Sequence, residues 1–480
     1  ERTAQKSIAF GSITVLGKGL VRTGMFADTI VAIATPLQPS GLGVIRVSGS
    51  TAITSVETIF QPSHGGTVAE SPNRKLRHGW LNIEGQLVDE AMLVVMRGPH
   101  SFTAEDVVEL QCHGSPQMLQ MVLQQILMLG VRLAEPGEFT RRAFLNGRLD
   151  LTRVEAIADL IHADSRMSVL LAAQQLRGRL YETIQQLQEE LIQIASLIEA
   201  WIEFPDEDEE FTGQTDCERR LQSLRSKLEG LLQKGKQGRL LRNGVHVVLC
   251  GRPNVGKSSL MNALLRENRS IVTEIPGTTR DVIEESLEIH QVAFRLSDTA
   301  GIRQTEDLVE KQGVERTKKA IEQADLVLLL LDGSQELQAE DQELLAEVED
   351  KPSLIVATKA DLWDQELPKW KDSIQSRWIP FSVHQAETLE ELEEALYHNS
   401  ISENAPPLEE SWLTNLRQQA AVEKVSESLE ISQNLLQQRT GEEFVAAELR
   451  RALNALGDIV GQTTADDLLS RVFAEFCIGK

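Results

Sequence analysis

The stretch VHVVLCGRPNVGKSSLMNALL, residues 245–265, decides how the rest of the chain is read. Its opening, with Val245, Val247, Val248 and Leu249, is apolar enough for a strand buried on both faces. Residues 251–258 fit G-x-x-x-x-G-K-S, and from Ser259 onward the pattern is helical. A glycine-rich turn between a buried strand and a helix points successive backbone N–H groups inward. The helix N-terminus adds its partial positive charge, so such a loop cradles phosphate oxygens. The contact residues this predicts are Asn254, Val255, Gly256, Lys257, Ser258 and Ser259, with Lys257 reaching the outer phosphates and Ser258 ligating Mg2+.

Downstream strand ends supply the rest of a nucleotide site. In LSDTAG, Asp298 would hold Mg2+ through water, and Thr299, Ala300 and Gly301 lie where a backbone N–H can turn toward a γ-phosphate. In ATKAD, Thr358, Lys359, Ala360 and Asp361 follow another apolar run. The Asp361 carboxylate can accept both N–H groups of a guanine edge, an arrangement adenine cannot offer, and Ser382 is a further expected GTP contact. With GTTRD at residues 277–281, these motifs in this order resemble the translation-factor class of GTPases. Thr358 stands where that class usually has Asn, which removes an amide hydrogen bond and puts nucleotide affinity in question. Ras-like switches carry a glutamine just after D-T-A-G to orient the attacking water. Ile302 occupies that place here and cannot do so.

A chain of 480 residues has room for roughly three domains at ~150 residues each. Its 48 Lys and Arg against 72 Asp and Glu leave a formal charge of -24, which repels nucleic acid at long range. A nucleic-acid partner must then meet a local basic patch. Arg141, Arg142, Arg148 and Arg153 in FTRRAFLNGRLDLTRVE are one candidate; a scaffold of intrachain salt bridges is the equal alternative. Cys112, Cys217, Cys250 and Cys477 are scattered without metal-like pairing, as expected of a reducing compartment such as the cytosol. No run reaches the ~18 apolar residues of a membrane span. Residues 1–27 lack a long apolar core, read poorly as a signal peptide, and are taken as an extension outside the folded domains.

Residues 28–148 read as a small α/β domain, with strand-like runs TIVAIATP, GLGVIRVSG, AMLVVMRGP and DVVELQCHG and a helix in SPQMLQMVLQQILMLG. Residues 149–243 turn helical, with Ile184, Leu187, Leu191, Ile194 and Ile198 at spacings of three and four up to Pro205. The acidic FPDEDEEF reads as a solvated loop. Strands and helices alternate over residues 244–401, the pattern of a doubly wound, mostly parallel sheet. Residues 402–480 are helical again. The α/β unit is thus expected to be inserted into one discontinuous helical domain; four separate domains in series is the alternative.

The flanks sharpen the resemblance. Asn254 in GRPNVGKSS, together with SIVTEIPGTTRD, DTAGIRQTEDLVEKQGVER and the terminal CIGK, is similar to the MnmE (TrmE) family of tRNA-modification GTPases, over nearly the whole of residues 28–480. The resemblance implies a Ras-like P-loop GTPase domain inserted in an all-α domain, behind an N-terminal α/β domain of folate-binding type that makes a homodimer. It implies that K+ replaces an arginine finger, held by Asn254 and by backbone oxygens of Thr273, Ile275 and Thr278. Glu274, Pro276 and Gly277 belong to the same nucleotide-covering loop, Thr279 completes the Mg2+ site, and Glu310 orients water; read alone, Glu310 is a solvated helix face. Arg280, Asp281 and Arg303 would assist the face-to-face contact. It further implies a FAD-containing partner, MnmG (GidA), tRNA as substrate, a 5-formyl-tetrahydrofolate one-carbon donor, a cytoplasmic setting and no membrane.

The same resemblance assigns Arg46, Glu109, Arg148 and Lys480 to the folate pocket, with Arg148 where some relatives have lysine. In VVELQCH, alternation sets Val108, Leu110 and Cys112 on one face and Glu109, Gln111 and His113 on the other. A carboxylate at Glu109 can accept two N–H bonds from a pterin, and Arg46, Arg148 and Lys480 can meet carboxylates; an exposed face of an edge strand is the alternative for Glu109. The apolar Leu468, Leu469, Val472, Phe473 and Phe476 are expected to pin the terminus to the helical domain. Cys477, if a nearby cation favours its thiolate, is a candidate nucleophile toward a pyrimidine. Two other classes stay open: a regulatory GTPase switch without folate binding, and a GTP-dependent assembly protein, which the acidity and lack of a basic amphipathic helix oppose.

Overall fold

The computed structural model describes residues 28–203, 210–268, 284–298, 318–363, 367–374, 377–401, 410–439, 441–463, 469, 472–474, 476–477 and 479. The chain divides into two compact units, Glu1–Glu155 with Thr463–Lys480, and Ala156–Gln462.

The first unit is a mixed sheet with helices. Its strands are β1 (Ile30–Ile33), β2 (Ser40–Ser48), β3 (Phe60–Pro62), β4 (Leu76–Ile83), β5 (Gln86–Met96), β6 (Val107–Gly114) and β7 (Arg132–Leu133), ordered β3-β4-β5-β6-β2-β1-β7. All neighbours are antiparallel except β1 with β7. Period-two burial explains the sequence: Ile45, Val47, Leu93, Val95, Val108 and Leu110 turn toward the helix Pro116–Met128, whose Leu119, Val122 and Ile126 are buried against them. A smaller cluster of Ile30, Ala32, Ala134 and Phe139 covers the other face of β1. Because β6 lies between β5 and β2, Glu109 is on a central strand and the edge-strand alternative falls.

The chain's last turn belongs to this unit, not to the helical domain expected to anchor it. The Phe473 ring lies 6.3 Å from that of Phe144, and the Gly137 N–H donates to the Cys477 carbonyl at 3.5 Å. Two glycines make the approach possible. A Cβ at Gly479, whose φ is 100°, would meet the Ile33 carbonyl at 2.6 Å, and one at Gly137 would meet that of Phe473 at 2.6 Å.

In the second unit the helices Arg179–Glu203, Glu210–Asn243, Leu416–Gln438 and Glu442–Val460 bury one core, running through Ile184, Leu191, Leu224, Val425 and Leu449. Residues from before and after the intervening α/β segment share that core. The segment itself carries β8 (Val245–Cys250), β9 (Glu284–Ile289), β10 (Val292–Asp298), β11 (Leu326–Asp332), β12 (Ser353–Thr358) and β13 (Trp378–Phe381), ordered β13-β12-β11-β8-β10-β9. Only β9 runs antiparallel to its neighbour. All seven residues of β11 are buried because both sheet faces are covered: Leu328 and Leu330 face one core, Leu329 and Leu331 the other.

Candidate functional sites

The parallel strands end together at one edge of the second sheet, and ligands of such sheets bind beyond the carboxyl ends of the strands. Register makes this concrete: Asp298 lies opposite Leu249, Asp332 opposite Thr358, and Thr358 opposite Phe381. The phosphate loop leaves β8 and enters the helix Lys257–Asn268. Asn254 is exposed with a left-handed φ of 62°. Lys257 is 7% exposed, and its ammonium is held inside the loop by the carbonyls of Gly251 at 2.6 Å and Arg252 at 3.0 Å. A buried cation among carbonyls, with a helix N-terminus behind it, fits phosphate. Ser258 and Ser259 are exposed at the helix start, and Ser258 with Asp298 offers the oxygen donors Mg2+ prefers. The loop's own guanidinium is committed elsewhere: Arg252 pairs at 3.0 Å with Asp341, which is 2% exposed on the helix Ala339–Glu347.

The base-recognition residues are also brought together. Lys359, at a left-handed φ of 59°, donates to Asp332 Oδ2 at 2.6 Å. Ser382 Oγ donates to Asp361 Oδ1 at 2.6 Å, which fixes the plane of the carboxylate. Thr358 has no amide to offer, but its hydroxyl lies 2.7 Å from the Val255 carbonyl and 3.1 Å from that of Leu331, so it ties the phosphate loop to β12. Sequence reasoning missed Asp332. Burial pushes its carboxyl up, but bonds from Lys359 and from the Ser334 hydroxyl and N–H outweigh this and hold it below the ordinary carboxylate range. A lone aspartate closing LVLLLLD was the available signal. Trp370, 1% exposed, donates its indole N–H to the Asp332 carbonyl, and Trp363 donates to that of Thr358. Thr273, Glu274, Ile275, Pro276, Gly277, Thr278, Thr279, Thr299, Ala300, Gly301 and Glu310 lie outside the described residues, as do Arg280, Asp281 and Arg303.

In the first unit, Arg46 and Glu109 are direct cross-strand partners on β2 and β6, and Arg46 Nε donates to Glu109 Oε1 at 2.8 Å. Arg46 also donates to the Gly479 carbonyl at 3.3 Å, and its guanidinium lies 5.5 Å from the Phe102 ring and 5.6 Å from that of Phe139. Arg148 is exposed, donates to the Phe102 carbonyl at 2.9 Å and lies 5.0 Å from the same ring. Phe102 and Phe139 were not singled out from the sequence, since an aromatic without polar neighbours reads as core. His113 Nδ1 donates to Asp89 Oδ1 at 2.7 Å on the exposed end of β6. Cys477 is exposed, whereas burial pushes the thiols of Cys112 up to about 11 and of Cys217 and Cys250 up to about 12. Lys480 lies outside the described residues.

The basic patch does not survive as expected. Arg142 is fully buried and paired with Asp28 at 2.9 Å, Glu105 at 3.1 Å and Glu138 at 3.0 Å. Arg153 pairs with Asp150 at 3.2 Å. For these two the salt-bridge alternative holds: the buried Arg142 guanidinium needs carboxylates around it, and the half-buried Arg153 is paired one helical turn back.

Among the described residues no helix is long and apolar enough to cross a membrane. Two family models match: the TrmE N-terminus over residues 29–148 and the MnmE helical domain over residues 151–477. The tRNA modification GTPase MnmE of Carboxydothermus hydrogenoformans is 41% identical over 462 residues, 95% of this chain and 100% of its own. That of Thermotoga maritima is 41% identical over 459 residues, 94% and 100%. Among solved structures, Aquifex aeolicus Era bound to GDP·AlF4− is 26% identical over 38% of this chain and 66% of its own, with a TM-score of 0.28. Identity at this level along the whole chain, with the phosphate loop and the base-recognition residues gathered at one sheet edge, means that the chain belongs to the MnmE family of tRNA modification GTPases and is a GTP-hydrolysing enzyme.

Proposed function

We propose that this chain works as a cytoplasmic homodimer with the FAD-containing flavoprotein MnmG (GidA), and modifies C5 of the wobble uridine of certain tRNAs. The product is a carboxymethylaminomethyl-type group, with 5-formyl-tetrahydrofolate as one-carbon donor. GTP hydrolysis drives a conformational cycle and is not the modifying chemistry itself. Lys257 neutralises the outer phosphates, Asp361 accepts the guanine N–H pair, and Ser382 keeps that carboxylate in plane. Glu310 orients the water that Ile302 cannot. Mg2+ at Ser258 and Thr279, and K+ at Asn254, Thr273, Ile275 and Thr278, supply the positive charge that phosphoryl transfer needs.

The observation that carries the GTPase mechanism is Arg252. It is turned away to a buried aspartate, so the phosphate loop has no guanidinium of its own to spend on the leaving group. An added cation beside Asn254 fills that need. On the folate side, the Arg46–Glu109 pair beside the aromatic walls of Phe102 and Phe139 supports binding of a flat, polar ring. Lys480 adds a further cation to that pocket, and Cys477 is the nucleophile toward the pyrimidine.

The test is steady-state GTP hydrolysis in K+ against Na+ at equal ionic strength, repeated with Asn254→Ala and Glu310→Ala. Hydrolysis fast only in K+, and slowed by each substitution with GTP binding retained, is the expected result. Equal rates in both salts would remove Asn254 as a cation ligand and bring forward a switch that needs a separate activating protein.

A further inference from the structure

Beside the Arg46–Glu109 pair, the first unit has a cavity of about 400 Å³ lined by Arg74, Met96, His100, Ser101, Phe102 and Arg148. This is within the size range of small-molecule sites, ~300 to 1,000 Å³. Its distinguishing feature is two guanidiniums without acids. Arg74 donates to the His100 carbonyl and Arg148 to the Phe102 carbonyl, so both are held by the same short loop. Among the described residues neither is paired with a carboxylate. Arg46, Arg132 and Arg142 of the same unit each meet at least one. Arg77 and Arg97 also rest on carbonyls, but Arg74 and Arg148 are the pair that lines one cavity together. Burial, and then the charge of Arg74, hold the Arg148 guanidinium below its usual range, so the two feel each other. An anion placed between them relieves that repulsion.

Phe102 says what kind of anion. Its ring is shared: Arg148 lies against it at 5.0 Å and Arg46 at 5.5 Å. The cavity and the Arg46–Glu109 pair are therefore two ends of one site with an aromatic wall between them. A ligand spanning both has a hydrogen-bonding head for Glu109 and Arg46, an aromatic middle for Phe102, and carboxylates at the far end. We infer that Arg148 meets a carboxylate of the first glutamate of a folate tail and Arg74 a carboxylate beyond it, so that the protein prefers polyglutamylated over monoglutamylated folate. This rests on the folate reading proposed above and adds Arg74 to it. The guanidinium fork matches a carboxylate in two parallel hydrogen bonds, which an ammonium cannot do.

The test is calorimetric titration of the full chain with 5-formyl-tetrahydrofolate carrying one and five glutamates, for the natural protein, Arg74→Met and Arg74→Lys. The pentaglutamate is expected to bind roughly tenfold tighter than the monoglutamate, the effect of one charge-assisted pair. Arg74→Met brings the ratio close to one, and Arg74→Lys leaves it in between. An unchanged thermal unfolding transition in both variants separates this from misfolding; if Arg74→Met unfolds, Arg74→Lys carries the comparison. Equal affinity for both forms, unmoved by Arg74→Met, overturns the tail site and leaves the folate reading standing. Binding of neither form overturns the folate reading and the tail site with it. If Arg74→Met instead weakens tRNA binding while the folate ratio holds, the arginines read phosphate, and the inference fails.

Discussion

The GTPase part keeps its site at the ends of neighbouring parallel strands, while the first unit assembles its site from residues 46, 102, 109, 139, 148 and 479. In the former, Asp332 and Thr358 close β11 and β12, Asp361 and Ser382 follow β12 and β13 within three residues, and Lys257 lies beyond the loop that leaves β8, so the parallel register brings them to one edge. In the latter, β2 and β6 supply a cross-strand pair, a loop and a helix supply the aromatic walls, and the chain's last turn returns across more than four hundred residues to reach Arg46. A site written as short motifs tolerates loss of distant structure but not of its own residues. A site gathered from afar depends as much on the scaffold as on the residues that touch ligand.

The largest effect expected is at Lys257. Lys257→Ala removes the one ammonium buried in the phosphate loop and should lower kcat/KM for GTP by about 10²- to 10³-fold or more, as loss of a charge-stabilising group does. The unfolding transition of the protein should move far less, since Lys257 donates to carbonyls of its own loop. A comparable loss of stability would mean that the motif residues also carry the fold, and the contrast would fail.

The second break point is Arg142, which sits in the scaffold and not in either site. Removing one member of a buried ion network typically costs about 3 to 5 kcal/mol, because the partners stay buried without their counter-charge. Arg142→Met should therefore lower the urea midpoint strongly while the initial GTPase rate of the folded fraction is kept. The same network has a pH signature. Burial pushes the Glu138 carboxyl up, but Arg132, the Glu135 N–H and Arg142 outweigh this and hold it below its ordinary 4.5. For Asp28, burial is likewise outweighed by Arg132 and Arg142, and it falls below 3.8. Both folded values are depressed, so their stabilisation is complete above those ordinary values and is lost as pH falls through the folded ones. Acid unfolding followed by circular dichroism should show that loss, and Glu138→Gln should flatten it.

How much of this was legible in the sequence follows from the same division. The phosphate loop, the parallel sheet and the inserted order of helices were readable because strand burial, glycine spacing and 3.6-residue periodicity are local properties. Arg142 was not. In FTRRAFLNGRLDLTRVE it looks like its neighbours, and only the fold decides that one of four arginines goes inward among Asp28, Glu105 and Glu138. The terminus was misassigned for a related reason. Periodicity marked Phe473 and Phe476 as an apolar face, but a face does not name its partner, and Phe144 and Gly137 were the ones that fit.

Asp332 sharpens the comparison from inside the GTPase part, since its carboxylate reaches the base motif through Lys359. Hydrogen bonds to charged groups contribute about 1.5 to 3 kcal/mol. Asp332→Asn should therefore weaken GTP binding by roughly tenfold or somewhat more, read by fluorescent-nucleotide titration, with kcat at saturation nearly kept. A fall in kcat with unchanged affinity would mean that Lys359 is not positioned through Asp332.

Thr358 is the smallest and most discriminating case, because it is the one motif position where this chain departs from the usual asparagine. Its hydroxyl has a single hydrogen to share between the carbonyls of Val255 and Leu331, the nearer at 2.7 Å. Thr358→Val keeps the shape and removes that bond, which is worth about 1 kcal/mol, or roughly fivefold, for a neutral pair. If GTP affinity falls by that amount, the hydroxyl has taken over the tie between base motif and phosphate loop. Thr358→Asn tests the same tie from the other side. An amide is longer than a hydroxyl, and Thr358 is 1% exposed, so the extra atoms must displace the loop carbonyl they would bond. Affinity unchanged or lowered in Thr358→Asn means the loop is built around threonine. A gain would mean that the asparagine arrangement remains available and that the fold around this motif is less committed than its burial implies.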